Sequence, residues 1–198
     1  MMEDLTTLGL KLPTDPRWVE IAEKDIEEIL VDHAYCKQKA ASSCISLIVQ
    51  FPEKSKLVNM LTPVVSEEWT HFEMVLEHLK KRKMSLGKAR KDEYVILINQ
   101  IMKKGGSRDE QLVEKLLLNA LIEARSAERF KILSKNISDK ELAAFYHDLM
   151  VSEAGHYRNF LDLAKTYMPE DYVNQRWKQF LEEEAKIIET LEPGKSMH

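Results

Sequence analysis

Two short steps, Glu68-Trp69-Thr70-His71 and Glu153-Ala154-Gly155-His156, put a glutamate three residues ahead of a histidine in each half of the chain. On an α-helix that spacing sets a carboxylate and an imidazole side by side on one face, where both can reach one metal ion. Each step follows a distinctive position on an earlier helical stretch, Lys37 in the first half and Glu123 in the second, and the separations 37 to 68 and 123 to 153 are nearly equal. A four-helix bundle with a glutamate on two helices and Glu-x-x-His on the other two can hold a pair of metal ions in its core. This chain has that arrangement with lysine in one of the glutamate places.

The rest of the sequence supplies the helices such a core needs. Asp15-Pro16 is a helix start, and Ile26, Ile29, Leu30, His33, Lys37, Ala40, Cys44 and Leu47 keep the 3.6-residue period, so a first helix is expected to run to about Gln50. A second is expected from Ser55 to about Lys83, kinked at Pro63, and a short inserted helix from Asp92 to about Lys104, closed by Gly105-Gly106. Ser107 with Glu110, and Ser138 with Glu141, match the capping box and predict helices over about 109–135 and 139–167. An extra C-terminal helix after Pro169 carries Trp177, Phe180 and Leu181 to Pro193-Gly194. The expected fold is therefore all-α: a ferritin-like four-helix bundle with a short inserted helix and an extra C-terminal one. It forms a single domain over 1–198, with a helical core of about 15–191 and short flexible ends.

Composition narrows the class without choosing a chemistry. The 198 residues are 44% hydrophobic, enough for one sizeable core, and no apolar run approaches a bilayer span, so a cytoplasmic protein without a membrane partner is expected. Cys36 and Cys44 are too far apart along one helix for a disulfide and read as reduced, buried thiols. Trp18, Trp69 and Trp177 read as core or helix-docking residues.

Glu123 lies on the stripe Leu116, Ala120, Ala127, Phe130, and Glu153 on Tyr146, Met150, Tyr157, Phe160. A carboxylate among such neighbours is costly unless something compensates its charge. A metal does so, whereas the plain structural alternative pairs Glu123 and Glu153 with Arg125, Arg129 or Arg158 and leaves His71 and His156 as core histidines. Carboxylate oxygen with a minority of imidazole nitrogen suits iron, or manganese as the alternative.

Several segments carry a resemblance to a known family: Asp15-Pro16-Arg17-Trp18, Asp32-His33-Ala34-Tyr35-Cys36, Lys39-Ala40-Ala41-Ser42, Leu121-Ile122-Glu123-Ala124-Arg125-Ser126 and Val151-Ser152-Glu153-Ala154. In these the chain resembles the tRNA hydroxylases that act on 2-methylthio-isopentenyl-adenosine, from about residue 8 to 190. The resemblance implies a non-haem di-iron monooxygenase that uses dioxygen, and electrons from an external donor protein, to hydroxylate the isopentenyl group near the tRNA anticodon. It implies iron ligands at Glu68, His71, Glu123, Glu153 and His156, the carboxylates of Glu68 and Glu153 bridging and both histidines terminal. No catalytic residue beyond these ligands is assigned. The alternatives are a ferritin-like metal-binding or redox protein, and a relative whose di-iron chemistry is altered or lost.

The family pattern has glutamate where this chain has Lys37. Three glutamates and one ammonium balance a single divalent ion better than two, so the half around Glu123, Glu153 and His156 is expected to bind metal and the half around His71 to be weak or empty. His33, one turn before Lys37, is the candidate replacement ligand, set against the commoner case of a structural histidine. A basic run, Lys80, Lys81, Arg82, Lys83, Lys88, Arg90 and Lys91, stands out in a chain of net charge -4 and supplies the candidate RNA contacts. A solvated helix end explains the same run equally well.

Overall fold

The structure is a computed structural model that describes residues 8–194 and 197. Among these residues there are seven α-helices and no strand: α1 (Arg17–Lys24), α2 (Ile26–Gln50), α3 (Ser55–Lys81), α4 (Glu93–Ile98), α5 (Arg108–Asn136), α6 (Lys140–Tyr167) and α7 (Glu170–Thr190). A 3₁₀ turn, Asn99–Ile101, extends α4. The expected flexible ends fall on 1–7, 195, 196 and 198, outside the described residues. No described helix is long and apolar enough to cross a membrane.

The described residues form two compact units. One comprises residues 21–91 with Met197 and is built on α2 and α3, antiparallel neighbours joined by a short turn. The inward stripe of α2 is Ile29, Leu30, His33, Ala34, Lys37, Ala41, Cys44 and Leu47, and that of α3 is Leu57, Leu61, Val64, Glu68, His71, Val75 and Leu79. Each stripe thus sets polar residues of the candidate site in an otherwise apolar row. Helix α3 continues through Pro63, and Glu68 lies more than a turn beyond it.

The other unit comprises residues 8–20 and 92–194, built on the α5–α6 pair with α4 and α7 alongside. Most of α5 is buried, as a helix packed on more than one side must be. Phe130 of α5 stacks on Tyr146 of α6 with ring centroids 5.5 Å apart. The capping box at the start of α5 is as expected: Ser107 Oγ accepts from the Glu110 backbone N–H (3.2 Å), and Glu110 returns a carboxylate to the Ser107 N–H (2.7 Å). Those hydrogen bonds hold the Glu110 carboxyl below its ordinary value.

Local differences from the sequence expectations have physical causes. The first helix is interrupted at Asp25, whose φ/ψ of −124°/44° leave the helical region, so α1 and α2 bury separate stripes. Asp is a poor helix former, and one residue suffices to re-aim the chain. The box expected at Ser138 is replaced by Asp139, whose Oδ1 accepts from the N–H groups of Glu141 (3.0 Å) and Leu142 (3.1 Å). A carboxylate one residue later is the stronger cap against the positive end of the helix dipole. The inserted helix stops at Ile98, with its 3₁₀ turn to Ile101, rather than reaching Lys104. Helix α3 stops at Lys81, where the Met84 N–H reaches the Leu79 carbonyl and Lys83 takes φ +57°, an ending usually given to glycine. Trp69 is 47% exposed rather than in the core, and Cys36 is only half-buried, although both cysteines are free as expected.

Candidate metal centre

In the second unit the Glu153-Ala154-Gly155-His156 step lies on α6 and faces Glu123 of α5. Glu123, Glu153 and His156 are all buried, and each offers a ligand atom within 4.8 Å of those of the others. His156 Nδ1 stands 3.9 Å from Glu153 Oε2, the side-by-side placement that the i, i+3 spacing predicts. Phe130 and Tyr146 lie two turns along the same stripes and are closed to solvent, so the carboxylates sit in a poorly hydrated wall.

Arg125, two residues beyond Glu123, is engaged with other groups. All five N–H groups of Arg125 have acceptors: Glu184 Oε1 from Nε (2.9 Å) and Nη2 (2.6 Å), Glu128 Oε2 (2.6 Å) and Thr14 Oγ1 (3.4 Å) from Nη1, and the Leu12 carbonyl from Nη2 (3.1 Å). Glu128 also accepts from the backbone N–H and hydroxyl of Thr14. Arg129 lies over the Trp18 ring, 4.7 Å from its centroid, and burial together with the charge of Arg125 pushes it down to about 10. Arg125 therefore does not compensate Glu123 or Glu153, contrary to the plain structural alternative. Two buried carboxylates and an imidazole with clustered ligand atoms fit a divalent transition-metal ion of the iron and manganese group.

In the first unit the geometry differs. Lys37, 4% exposed, directs its ammonium at Glu68, which is fully buried, with Nζ 3.1 Å from Oε2 and 3.4 Å from Oε1. His71 Nδ1 is 3.7 Å from Glu68 Oε1. Two unit charges 4 Å apart interact by about 4 kcal/mol at an effective dielectric of 20, and a divalent ion doubles this. An ammonium so close to both oxygens of Glu68 therefore opposes a divalent ion on that carboxylate by several kcal/mol. These residues do not fit the family's second metal position as they stand. His33 is fully buried on α2, but neither it nor His71 joins a close set of three or more ligand atoms among the described residues.

The basic run spans the last residues of α3 and the segment after it. Lys80, Lys81, Lys83, Lys88 and Lys91 are exposed, while half-buried Arg82 donates to the His78 carbonyl (3.1 Å). Arg90 pairs with the Glu28 carboxylate and also donates to its carbonyl (3.1 Å), and Tyr35 Oη donates to the Gly87 carbonyl (2.9 Å). These bonds hold the segment against α2 beside a cleft of about 380 Å³ lined by Glu27, Glu28, Val31, Ser85, Gly87, Lys88 and Arg90.

Residues that sequence reasoning missed are the partners in the buried ion networks: Glu184 and Glu128 on Arg125, and Glu114 on Arg176 at 2.6 Å. Their signal was available, since each is a charged residue at an inward helical position, but the identity of the partners was not.

Long paired helices with inward carboxylates and a Glu-x-x-His step define a ferritin-like protein, and the chain is of that class. It matches the solved structure titled "Protein 43 with aldehyde deformylating oxygenase activity from Synechococcus", with a TM-score of 0.89 and 31% identity over 96% of this chain and 94% of that one. The family model described as tRNA-(MS[2]IO[6]A)-hydroxylase (MiaE) matches residues 3–198, and the chain belongs to that family. Among its relatives is the tRNA 2-(methylsulfanyl)-N(6)-isopentenyladenosine(37) hydroxylase of Pseudomonas putida, 39% identical over 80% of this chain and 76% of that protein. The protein of the same name from Salmonella typhimurium is 26% identical over 90% of this chain and 83% of its own length.

Proposed function

We propose that this protein is a non-haem iron monooxygenase that hydroxylates the isopentenyl group of 2-methylthio-isopentenyl-adenosine in the anticodon region of tRNA. The observation that carries the reading is the buried set Glu123, Glu153 and His156 on a chain that matches the hydroxylase family along nearly its whole length. A single family model over residues 3–198 also supports reading the two compact units as parts of one functional domain.

Glu123 and Glu153 supply negative charge to the metal and His156 a neutral nitrogen, while Glu68 and His71 stand at the family's remaining ligand positions. Bound iron would supply the means to activate dioxygen, a chemistry that side chains alone do not offer. One oxygen atom enters the C–H bond to give the alcohol and the other leaves as water. Two protons and two electrons are consumed, the electrons coming from an external donor protein. The apolar stripes of α5 and α6 keep bulk water from the carboxylates, which would limit side reactions with water at a metal held there. The adenosine must be presented outward from the RNA for its side chain to reach a buried site. Lys80, Lys81, Arg82, Lys83, Lys88, Arg90 and Lys91 are the proposed phosphate contacts, and the proposed setting is the cytoplasm.

Purified, iron-loaded protein is to be incubated with dioxygen, a chemical reductant and tRNA bearing the isopentenyl nucleoside, and the digested nucleosides read by mass spectrometry. Gain of one oxygen on that nucleoside is expected. A preparation with bound iron that leaves the nucleoside unchanged but turns over an aldehyde rejects the tRNA reading in favour of the activity named for the Synechococcus protein.

A further inference from the structure

We propose that Lys37 is a built-in cation that takes the place of one metal, so that this chain holds a single iron ion on Glu123, Glu153 and His156. The proposal rests on the hydroxylase reading only for the identity of the metal. Its own evidence is the contrast between the two halves of the repeat.

In the second unit the repeat brings two carboxylates and an imidazole together, while the guanidinium of Arg125 is committed to Glu184 and Glu128. In the first unit the corresponding earlier-helix position is Lys37, and its ammonium lies within hydrogen-bond distance of both oxygens of Glu68. Charge balance follows. A fully buried carboxylate needs a counter-charge, and Glu68 already has one supplied by the chain itself. Lys37 also removes a ligand, because an ammonium has three donors and no lone pair to offer a metal. The two effects act together: the position that should contribute an oxygen repels the ion instead. His71 keeps its place beside Glu68, 3.7 Å away, but one imidazole next to an ion-paired carboxylate is a poor set for a divalent ion.

Apoprotein is to be loaded with Fe(II) without oxygen, freed of loose metal, and its iron measured per chain. The ferric form is then examined by electron paramagnetic resonance. One iron per chain is expected, giving the signal of an isolated high-spin ion at full spin count. Lys37→Glu is expected to double the iron content per chain. Glu123→Gln in the otherwise unchanged chain is expected to lose its iron. Two tightly held irons per chain in the unaltered protein overturn the proposal, as does one iron that survives Glu123→Gln. Both readouts are made without tRNA, so they separate from the hydroxylase reading. One iron without hydroxylation rejects that reading alone, and two irons with hydroxylation reject only this one.

Discussion

Arg125 shows how a single residue can organise a core. It joins the chain before α1, through Leu12 and Thr14, to α5 and α7 through Glu128 and Glu184. Truncation to Arg125→Met leaves two buried carboxylates without their cation, and breaking such a pair typically costs about 3–5 kcal/mol. Urea unfolding should show a loss of that size, and Arg125→Lys should recover only part of it, since an ammonium cannot reproduce the five-donor fork. An Arg125→Met protein as stable as the parent would refute this account. At this scale the sequence marks which residues are unusual, because Glu123 and Glu153 each interrupt an apolar stripe. It does not say which charge meets which, because Glu184 lies 59 residues from Arg125 and only tertiary packing unites them.

Elements are more legible in the sequence than their ends. Period and glycine–proline punctuation place all the long helices, since burial of a continuous stripe leaves the chain little choice. Ends are decided by single hydrogen bonds, where neighbouring residues compete on nearly equal terms. At the start of α6 the sequence offers both Ser138 and Asp139, and the structure uses Asp139. Asp139→Ala should therefore cost about 1 kcal/mol, the usual value for a lost N-cap, while Ser138→Ala should change thermal stability little. The reverse order would restore the capping box at Ser138. Asp25 is the same kind of local decision with a larger result, because one non-helical residue turns an expected single helix into two.

For the molecule as a whole, the charge distribution bears on how RNA would be held. Five lysines at the end of α3 and in the segment after it are exposed, while Arg82 and Arg90 are engaged with α3 and α2. If the lysines meet phosphates, replacing Lys80, Lys81 and Lys83 by alanine should weaken tRNA binding. It should also reduce the slope of log affinity against log salt by about one for each phosphate no longer neutralised. An unchanged slope would assign the run to helix-end solvation. The fold class is legible in the sequence because two hairpins repeat one pattern, and Lys37 already sets the first half apart, whereas the approach of its ammonium to both oxygens of Glu68 emerges only with side chains in place. Lysine and glutamate codons differ in their first base alone, so one transition in the gene separates the Lys37–Glu68 pair from the family's carboxylate. Such a reversion would set two buried carboxylates against each other until metal arrived, making the folded protein depend on the iron supply of the cell. The present chain carries the counter-ion of Glu68 in its own sequence, so that this carboxylate is paired whether or not iron is supplied.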